Sequence, residues 1–520
     1  MTAPTSMKSI NIGNALMFDR IAYYKSRCAE LDLSEVPQSY VGGEFVSGTG
    51  AMIALEDPYS RTVLAEYPDC GAETANRACE AAAVAQKVWM TDFTAAGRGI
   101  VMQKIAALVD ERQETLAQVE AVVSGKPLRD CRVEVAKVSE MFRYYAGYTD
   151  KLHGQVIPVP SGHLNYTIRE PLGVIFQITP WNAPMFTAGW QIAPAMACGN
   201  GVVLKPSELT PVTSIALATI CEDAGTPAGL INVLAGLGPT AGEAAIAHDA
   251  TRKVVFVGSP ATGRVVATSA GKALKPVVLE LGGKSANIVF EDADLKAACK
   301  GAQAAIFATA GQSCVAGSRL LVQASIKDKF VKMVADGMEQ LKVGDPLDEA
   351  TEIGPISNRR QFDHVTAMVD QAAKNGAKVL SGDRTKGDAL IVPPTILTDL
   401  PPEADAAQTE IFGPVVAALS FVDEADAVRI ANSTDFGLAG AVWTNNVSLA
   451  HRMAGNVRAG TFWVNGYKAI HVSTPFGGSR SSGFGRSSGT DVLMEYTEPK
   501  SVWVETAEVP RVAFGYAPSE

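Results

Sequence analysis

Between residues 173 and 283 the chain alternates short, continuously apolar runs with longer stretches whose apolar positions recur every three to four residues. The runs read GVIFQIT, GVVLKPS, LINVLAG, KVVFVGS and PVVLELGG, separated by segments such as PVTSIALATICEDA at 211–224. A run apolar at every position predicts a strand buried on both faces, and strands alternating with helices predict a parallel sheet covered on both sides. Such a doubly wound sheet takes ligands at the carboxyl ends of its strands. After about residue 284 the alternation resumes: RLLVQ, a helix at 327–341, VVAALSFV, a helix at 423–432, GLAGAVWT, a helix near 448–457 and TFWVNG. This predicts a second α/β domain. Residues 73–150 read as largely helical, broken at SGKP (124–127). Ahead of them the first 38 or so residues carry one helical pattern, ALMFDRIAYYKSRCAELDL, expected to lie on the body or on a neighbouring subunit.

Composition narrows the class. A chain of 520 residues exceeds one hydrophobic core, and 47% apolar with 19% charged residues is a compact globular composition. A formal net charge of -10 repels phosphate backbones and anionic lipid, so neither nucleic acid nor membrane is an expected partner. The opening MTAPTSMKSINIGNALMF has no apolar run of secretory length and is not arginine-rich, so a cytoplasmic location is expected. Residues 171–204 carry no charge and are long enough to cross a bilayer, but Pro180, Pro184 and Pro194, with Gln177, Asn182 and Gln191, make them buried core instead. The eight cysteines are dispersed, with no C-x-x-C pair, and the six histidines have no metal-ligand spacing. No disulfide framework and no metal site are expected.

Four places could carry chemistry. The G-x-G-x-x-G fingerprint is missing after every strand; KVVFV is instead followed by GSPATG, Gly258 to Gly263, opening a helical stretch whose N-terminus could meet a phosphate. Glycines at strand ends also simply make turns. Lys205 and Glu208 leave the carboxyl end of another strand, where a carboxylate could take both hydroxyls of a ribose and repel a 2'-phosphate; equally they could be a solvated pair capping the next helix. Glu280 sits inside an apolar run just before Gly282 and Gly283, where burial would raise its pKa towards that of a general base. Cys314, in FATAGQSCVAGSR, has almost no bulk around it. A helix N-terminus there would make its thiol acidic and reachable; the alternative is an inert buried cysteine.

Taken together the residues resemble the NAD(P)-dependent aldehyde dehydrogenases, from about Tyr40 to Glu505. The motifs are ITPWNAP (178–184), LKPSELTP (204–211), FVGSPATG (256–263), LELGGKS (279–285), FATAGQSCVAGSR (307–319), EIFGPV (410–415) and PFGGSRSSGFGR (475–486). The resemblance implies an N-terminal extension at 1–38, a Rossmann-like NAD-binding domain at 39–153 and 171–280, and a catalytic domain at 281–495. A small β oligomerisation element with the tail, 154–170 and 496–520, would build a homodimer or homotetramer. It implies that Cys314 is the nucleophile that forms a thiohemiacetal and then a thioester, that Asn182 holds the oxyanion with the Cys314 N–H, and that Glu280 activates the hydrolytic water. NAD, with NADP possible, would be held by Ile178, Thr179, Pro180 and Trp181, by Lys205, Ser207 and Glu208, and by Gly238. Gly258, Ser259, Gly263 and Leu281 would take the pyrophosphate side; Gln361, Glu410 and Phe412 the nicotinamide side.

The substrate tunnel implied by the resemblance involves Ala183, Thr187, Trp190, Ser313, Val315, Lys468, Ile470 and Phe476. Ala183 and Thr187 stand where narrow-tunnel members often carry Phe and Met, and Trp190, Ile470 and Phe476 keep the walls apolar, which suits a bulky, aromatic or medium-chain aldehyde. Trp190 also replaces the arginine of succinate-semialdehyde enzymes. Lys468 is a departure: either it attracts an aldehyde bearing a carboxylate, or it is an ordinary surface lysine. Two rival functions remain, a CoA-acylating semialdehyde dehydrogenase, whose members usually lack the glutamate at Glu280, and a non-catalytic protein on the same fold.

Overall fold

The computed structural model describes residues 18–159, 162–382 and 389–508. The first part of the expected N-terminal extension and the end of the expected tail lie outside them. The five apolar runs form the strands Val174–Ile178, Gly201–Lys205, Ile231–Val233, Thr251–Gly258 and Val277–Leu281. They are parallel to one another. Val174–Ile178 lies centrally: Gly201–Lys205 and Ile231–Val233 step away on one side, Thr251–Gly258 and Val277–Leu281 on the other. The winding therefore reverses between Val174–Ile178 and Thr251–Gly258, where Ile178 pairs with Phe256, and opens a crevice beyond their carboxyl ends.

Two antiparallel strands, Ser39–Val41 and Glu44–Val46, close one edge of this sheet. The other edge holds a short strand within the motif PFGGSRSSGFGR: Gly483–Phe484 pairs antiparallel with Leu279 and Glu280. Two residues are too short to show a period, so no pattern marks them.

The helices Gly71–Thr91, Ala95–Glu111, Gln113–Ser124 and Leu128–Ala146 fill residues 73–150 as expected. Gly125, at φ 79°, ends the third in a left-handed cap, and Pro127 precedes the fourth, so SGKP is a stop and a start in four residues. The uncharged stretch 171–204 folds into two strands and the helix Pro184–Ala197, all within the core. Among the described residues no helix is long and apolar enough to cross a membrane. The first described helix, Arg20–Glu30, buries Tyr24 and Cys28 against the body, and Arg20 pairs with Asp57 and Asp345.

The second sheet has the order Lys378–Ser381, Thr395–Thr398, Val415–Phe421, Arg319–Gln323, Ala286–Val289, Ala439–Trp443, Thr461–Val464. It is parallel except at Lys378–Ser381. Three of its strands, Ala286–Val289, Thr395–Thr398 and Lys378–Ser381, had no strand assigned from sequence; each has four residues, too few to separate from a turn. A third sheet joins Val156–Ile157, His163–Pro171 and Thr497–Glu505, so 154–170 and the segment near 498–506 do meet.

Candidate active site

Cys314 lies in a turn between the short 3-10 helix Ala308–Gly311 and the strand Arg319–Gln323. Unlike the other seven cysteines, which are buried, it is half-buried. No helix starts beside it, so the expected acidification by a helix N-terminus does not occur. Burial instead pushes its thiol up to about 12, with the charges of Glu410 and Glu280 adding to the rise and the N–H groups of Val315 and Cys314 opposing it. The approach to it is strained: Thr309, Ala310 and Gly311 are consecutively left-handed, at φ 53°, 52° and 68°, which disfavours the first two by about 1–2 kcal/mol each.

The small residues near Cys314 are used for close packing. A Cβ on Gly311 would lie 2.0 Å from the Gly413 carbonyl oxygen, and one on Gly283 would lie 2.8 Å from the Cys314 carbonyl oxygen. Asn182 leaves the carboxyl end of the central strand just before the helix Pro184–Ala197, and its Nδ2 donates to the Gln312 carbonyl at 2.8 Å. Gln312 is in turn fixed by accepting from the Ser357 N–H at 2.9 Å and donating to the Pro355 carbonyl at 3.3 Å. Asn182 is thereby held two residues from Cys314.

Glu280 is buried near the end of its strand, and burial pushes its carboxyl up to about 8. Ser487 donates to Oε1 at 2.7 Å and opposes the shift, while Oε2 has no hydrogen-bond partner. Ser487 escaped sequence reasoning because nothing in GFGRSSG marks one serine over its neighbours.

A second carboxylate faces the same space. Glu410 accepts from the Gly283 N–H at 3.1 Å, and burial pushes it up to about 7. Its approach requires Gly282, since a Cβ there would fall 1.8 Å from Glu410 Oε2. Phe412, left-handed at φ 55°, presents its ring perpendicular to Trp181 with centroids 5.4 Å apart. Gln361 donates to the carbonyls of Ile411 and Phe412 at 2.9 and 3.1 Å, so it clamps this loop. Lys284, also missed, is buried with no partner on Nζ and is pushed down to about 7, first by burial and then by Arg319.

At the crevice, Thr179 is buried with its hydroxyl unpartnered, beside Pro180 at the end of the central strand. Lys205 is buried at its strand end, where Nζ donates to the carbonyls of Pro206 and Gly236 and lies 3.8 Å from Glu208 Oε2. Glu208 is half exposed, and Ser207, beside it, accepts from the Leu209 N–H. Gly238 has open space where a Cβ would stand. Gly258 ends its strand, and the exposed Ser259 caps the helix Pro260–Lys272 by accepting from Thr262 N–H at 3.2 Å. Gly263 lets that helix rest on Leu281, whose Cδ2 would be 2.7 Å from an added Cβ.

On the far side of Cys314, Trp190 stacks edge-on against Phe476 at 5.6 Å and beside Phe186 at 4.9 Å. Ala183 precedes their helix and Thr187 is buried one turn in. Val315 is buried next to Cys314, Ser313 is half-buried on its other side, and Ile470 and Phe476 pack with Cys314 on one apolar cluster. Tyr467 donates to the Val315 carbonyl at 3.0 Å, which brings Lys468 into the same wall.

The structure thus gathers Asn182, Glu280 and Glu410 about Cys314, and packs Ile470 and Phe476 both with it and with Trp190. The sequence profile described as the aldehyde dehydrogenase family matches residues 45–502. An aldehyde dehydrogenase of Emericella nidulans is 42% identical over 89% of this chain and 94% of its own. The (Z)-2-((N-methylformamido)methylene)-5-hydroxybutyrolactone dehydrogenase of Acinetobacter baylyi is 39% identical over 91% of this chain and 98% of its own. In structure, betaine aldehyde dehydrogenase of Staphylococcus aureus in complex with NAD+ superposes with a TM-score of 0.90 at 34% identity, covering 95% of this chain and 100% of that one. Similarity of this degree over nearly the full length of both chains goes beyond shared architecture: the protein belongs to the aldehyde dehydrogenase family.

Proposed function

We propose that the protein oxidises a bulky, aromatic or medium-chain aldehyde to the carboxylic acid, using NAD and water. The observation that carries this is the placement of the one half-buried cysteine under the influence of two carboxylates, Glu280 and Glu410, both pushed towards neutral pH. The crevice suits a dinucleotide: it offers a capped helix N-terminus at Ser259, an open Gly238 and a half-exposed Glu208 beside a buried lysine. Ile178, Thr179, Pro180 and Trp181 would floor it, with Glu410 and Phe412 at the nicotinamide end and Gln361 behind them. Glu208 favours NAD over NADP, because its charge repels a 2'-phosphate. Bound there, NAD supplies the acceptor for the hydride that leaves the aldehyde carbon.

The chain's own groups supply the rest. Cys314 Sγ adds to the carbonyl carbon and gives up its proton to ionised Glu280; with the thiol at about 12 and Glu280 at about 8 that transfer is uphill by itself and proceeds only as the carbon–sulfur bond forms. Asn182 Nδ2 and the Cys314 N–H donate to the oxygen that becomes negative. Loss of hydride leaves a thioester on Cys314. Glu280 gives the thiol's proton up to solvent and, ionised again, takes a proton from water as its oxygen attacks that thioester; the Cys314 thiolate departs, is reprotonated from Glu280, and the acid is released. Glu280 is also what disfavours the CoA-acylating alternative, which has no need of a base for water.

We assign residues 39–153 and 171–280 to the cofactor domain and 281–495 to the catalytic domain, in a cytoplasmic homodimer or homotetramer. Support for assembly comes from the third sheet, where Val156, Trp503 and Leu164 are exposed at 74%, 51% and 42%. Reduction of NAD and NADP by an aldehyde panel without CoA tests the function. Acid formation that Cys314→Ser abolishes is expected; NAD reduction that survives in Cys314→Ser overturns it.

A further inference from the structure

Three elements meet beyond Cys314: the first turns of the helix Leu128–Ala146, the helix Pro184–Ala197, and the loop from Tyr467 to Phe476. The helices are in direct contact at Gly189, whose added Cβ would lie 2.6 Å from Val138 Cγ1. The loop is tied to the cysteine turn by Tyr467, and to the first helix by His471, whose Nε2 lies 2.8 Å from Glu140 Oε1. Lys468 sits between these ties, half-buried and in a left-handed conformation at φ 60°. For a non-glycine residue that conformation is unfavourable.

The charges nearby can be accounted for one by one. Lys126 is paired with Glu120 and Glu134, and Arg129 with Asp130 and Glu352. Lys468 alone of these cations has no hydrogen bond or ion pair among the described residues. It feels the charges of Asp130 and Cys314, which favour its ammonium form, while burial pushes it down to about 8. Asp130 keeps Oδ2 buried without a partner. A half-buried ammonium with no hydrogen bond or ion pair of its own, balanced only at longer range by Asp130, in the wall next to a nucleophile, has room for an anion that a substrate could bring.

We propose that Lys468 is the specificity residue for an aldehyde that carries a carboxylate at the end remote from its carbonyl, the aromatic walls at Trp190 and Phe476 holding the part between. This rests on the aldehyde-oxidising reading above and narrows its substrate class. The cation comes from the loop Tyr467–Phe476, whose Phe476 packs edge-on against Trp190.

The test uses the full chain with NAD and three aldehydes of one shape: 4-carboxybenzaldehyde, its methyl ester and 4-methylbenzaldehyde. The wild type is expected to prefer the acid. In Lys468→Met the ratio of kcat/KM for the acid to that for the neutral aldehydes should fall by about 10- to 100-fold, the scale of a lost charge-assisted hydrogen bond. The loss should fall mainly on KM, and Lys468→Arg should restore most of it. An equal loss for all three, or an unchanged ratio, overturns the assignment while leaving aldehyde oxidation standing. Failure to oxidise any of the three refutes the underlying reading itself.

Discussion

Ser487 donates a hydrogen bond of 2.7 Å to Glu280 Oε1, joining a loop near the end of the chain to the last turn of a buried strand. This bond favours the ionised carboxylate, whereas burial favours the neutral one, and the balance stands at about 8. A base must be unprotonated to work, so turnover limited by thioester hydrolysis should rise with pH and level off above about 8. Ser487→Ala removes the opposing contribution, so the rising limb of the kcat profile should move to higher pH. A profile that stays in place shows that Glu280 does not limit turnover.

Asn182→Ala removes one of the two donors proposed for the oxyanion and should lower kcat by about a hundred- to a thousandfold, with a smaller effect on KM. Steady-state rates with a single good aldehyde are enough to check it. A loss confined to KM would place Asn182 in binding alone.

Gly282→Ala puts a methyl group 1.8 Å from Glu410 Oε2. The carboxylate must swing away and lose its hydrogen bond from Gly283 N–H. Affinity for NAD, titrated by quenching of protein fluorescence, should weaken by about tenfold or more, the scale of a lost hydrogen bond to a charged group. Circular dichroism should confirm an intact fold; unweakened affinity would remove Glu410 from the cofactor site.

Gln361→Ala takes away both donors that hold the carbonyls of Ile411 and Phe412. The expected result is a KM for NAD raised by about five- to a hundredfold, from one to three kcal/mol of lost restraint. KM for the aldehyde should move much less, and equal changes in both would point to general loosening instead.

Much of this was legible in the sequence because the evidence was local. Unbroken apolar runs gave the parallel strands from Val174 to Leu281, and SGKP marked a helix break in the right place. The residues that lie on motif text, Cys314, Glu280, Asn182 and Glu410, do converge. What stayed hidden depends on distant partners. Ser487 gains its importance from a carboxylate on a strand far earlier in the chain, and Asp130, on a helix, from a lysine in a distant loop. Gly311 looked like open room around the sulfur; in three dimensions it admits the Gly413 carbonyl oxygen at close range. The acidity expected for Cys314 needed a helix that the local residues do not form, since three left-handed positions in a row end the preceding one.

The strand Gly483–Phe484 also orders events in time. Synthesis proceeds from the N-terminus, and early segments begin to fold before late ones emerge. Until residues beyond 480 leave the ribosome, the strand bearing Glu280 has one bare edge, and its carboxylate lacks Ser487. A nascent chain therefore carries its cysteine before it has the serine that sets the ionisation of Glu280.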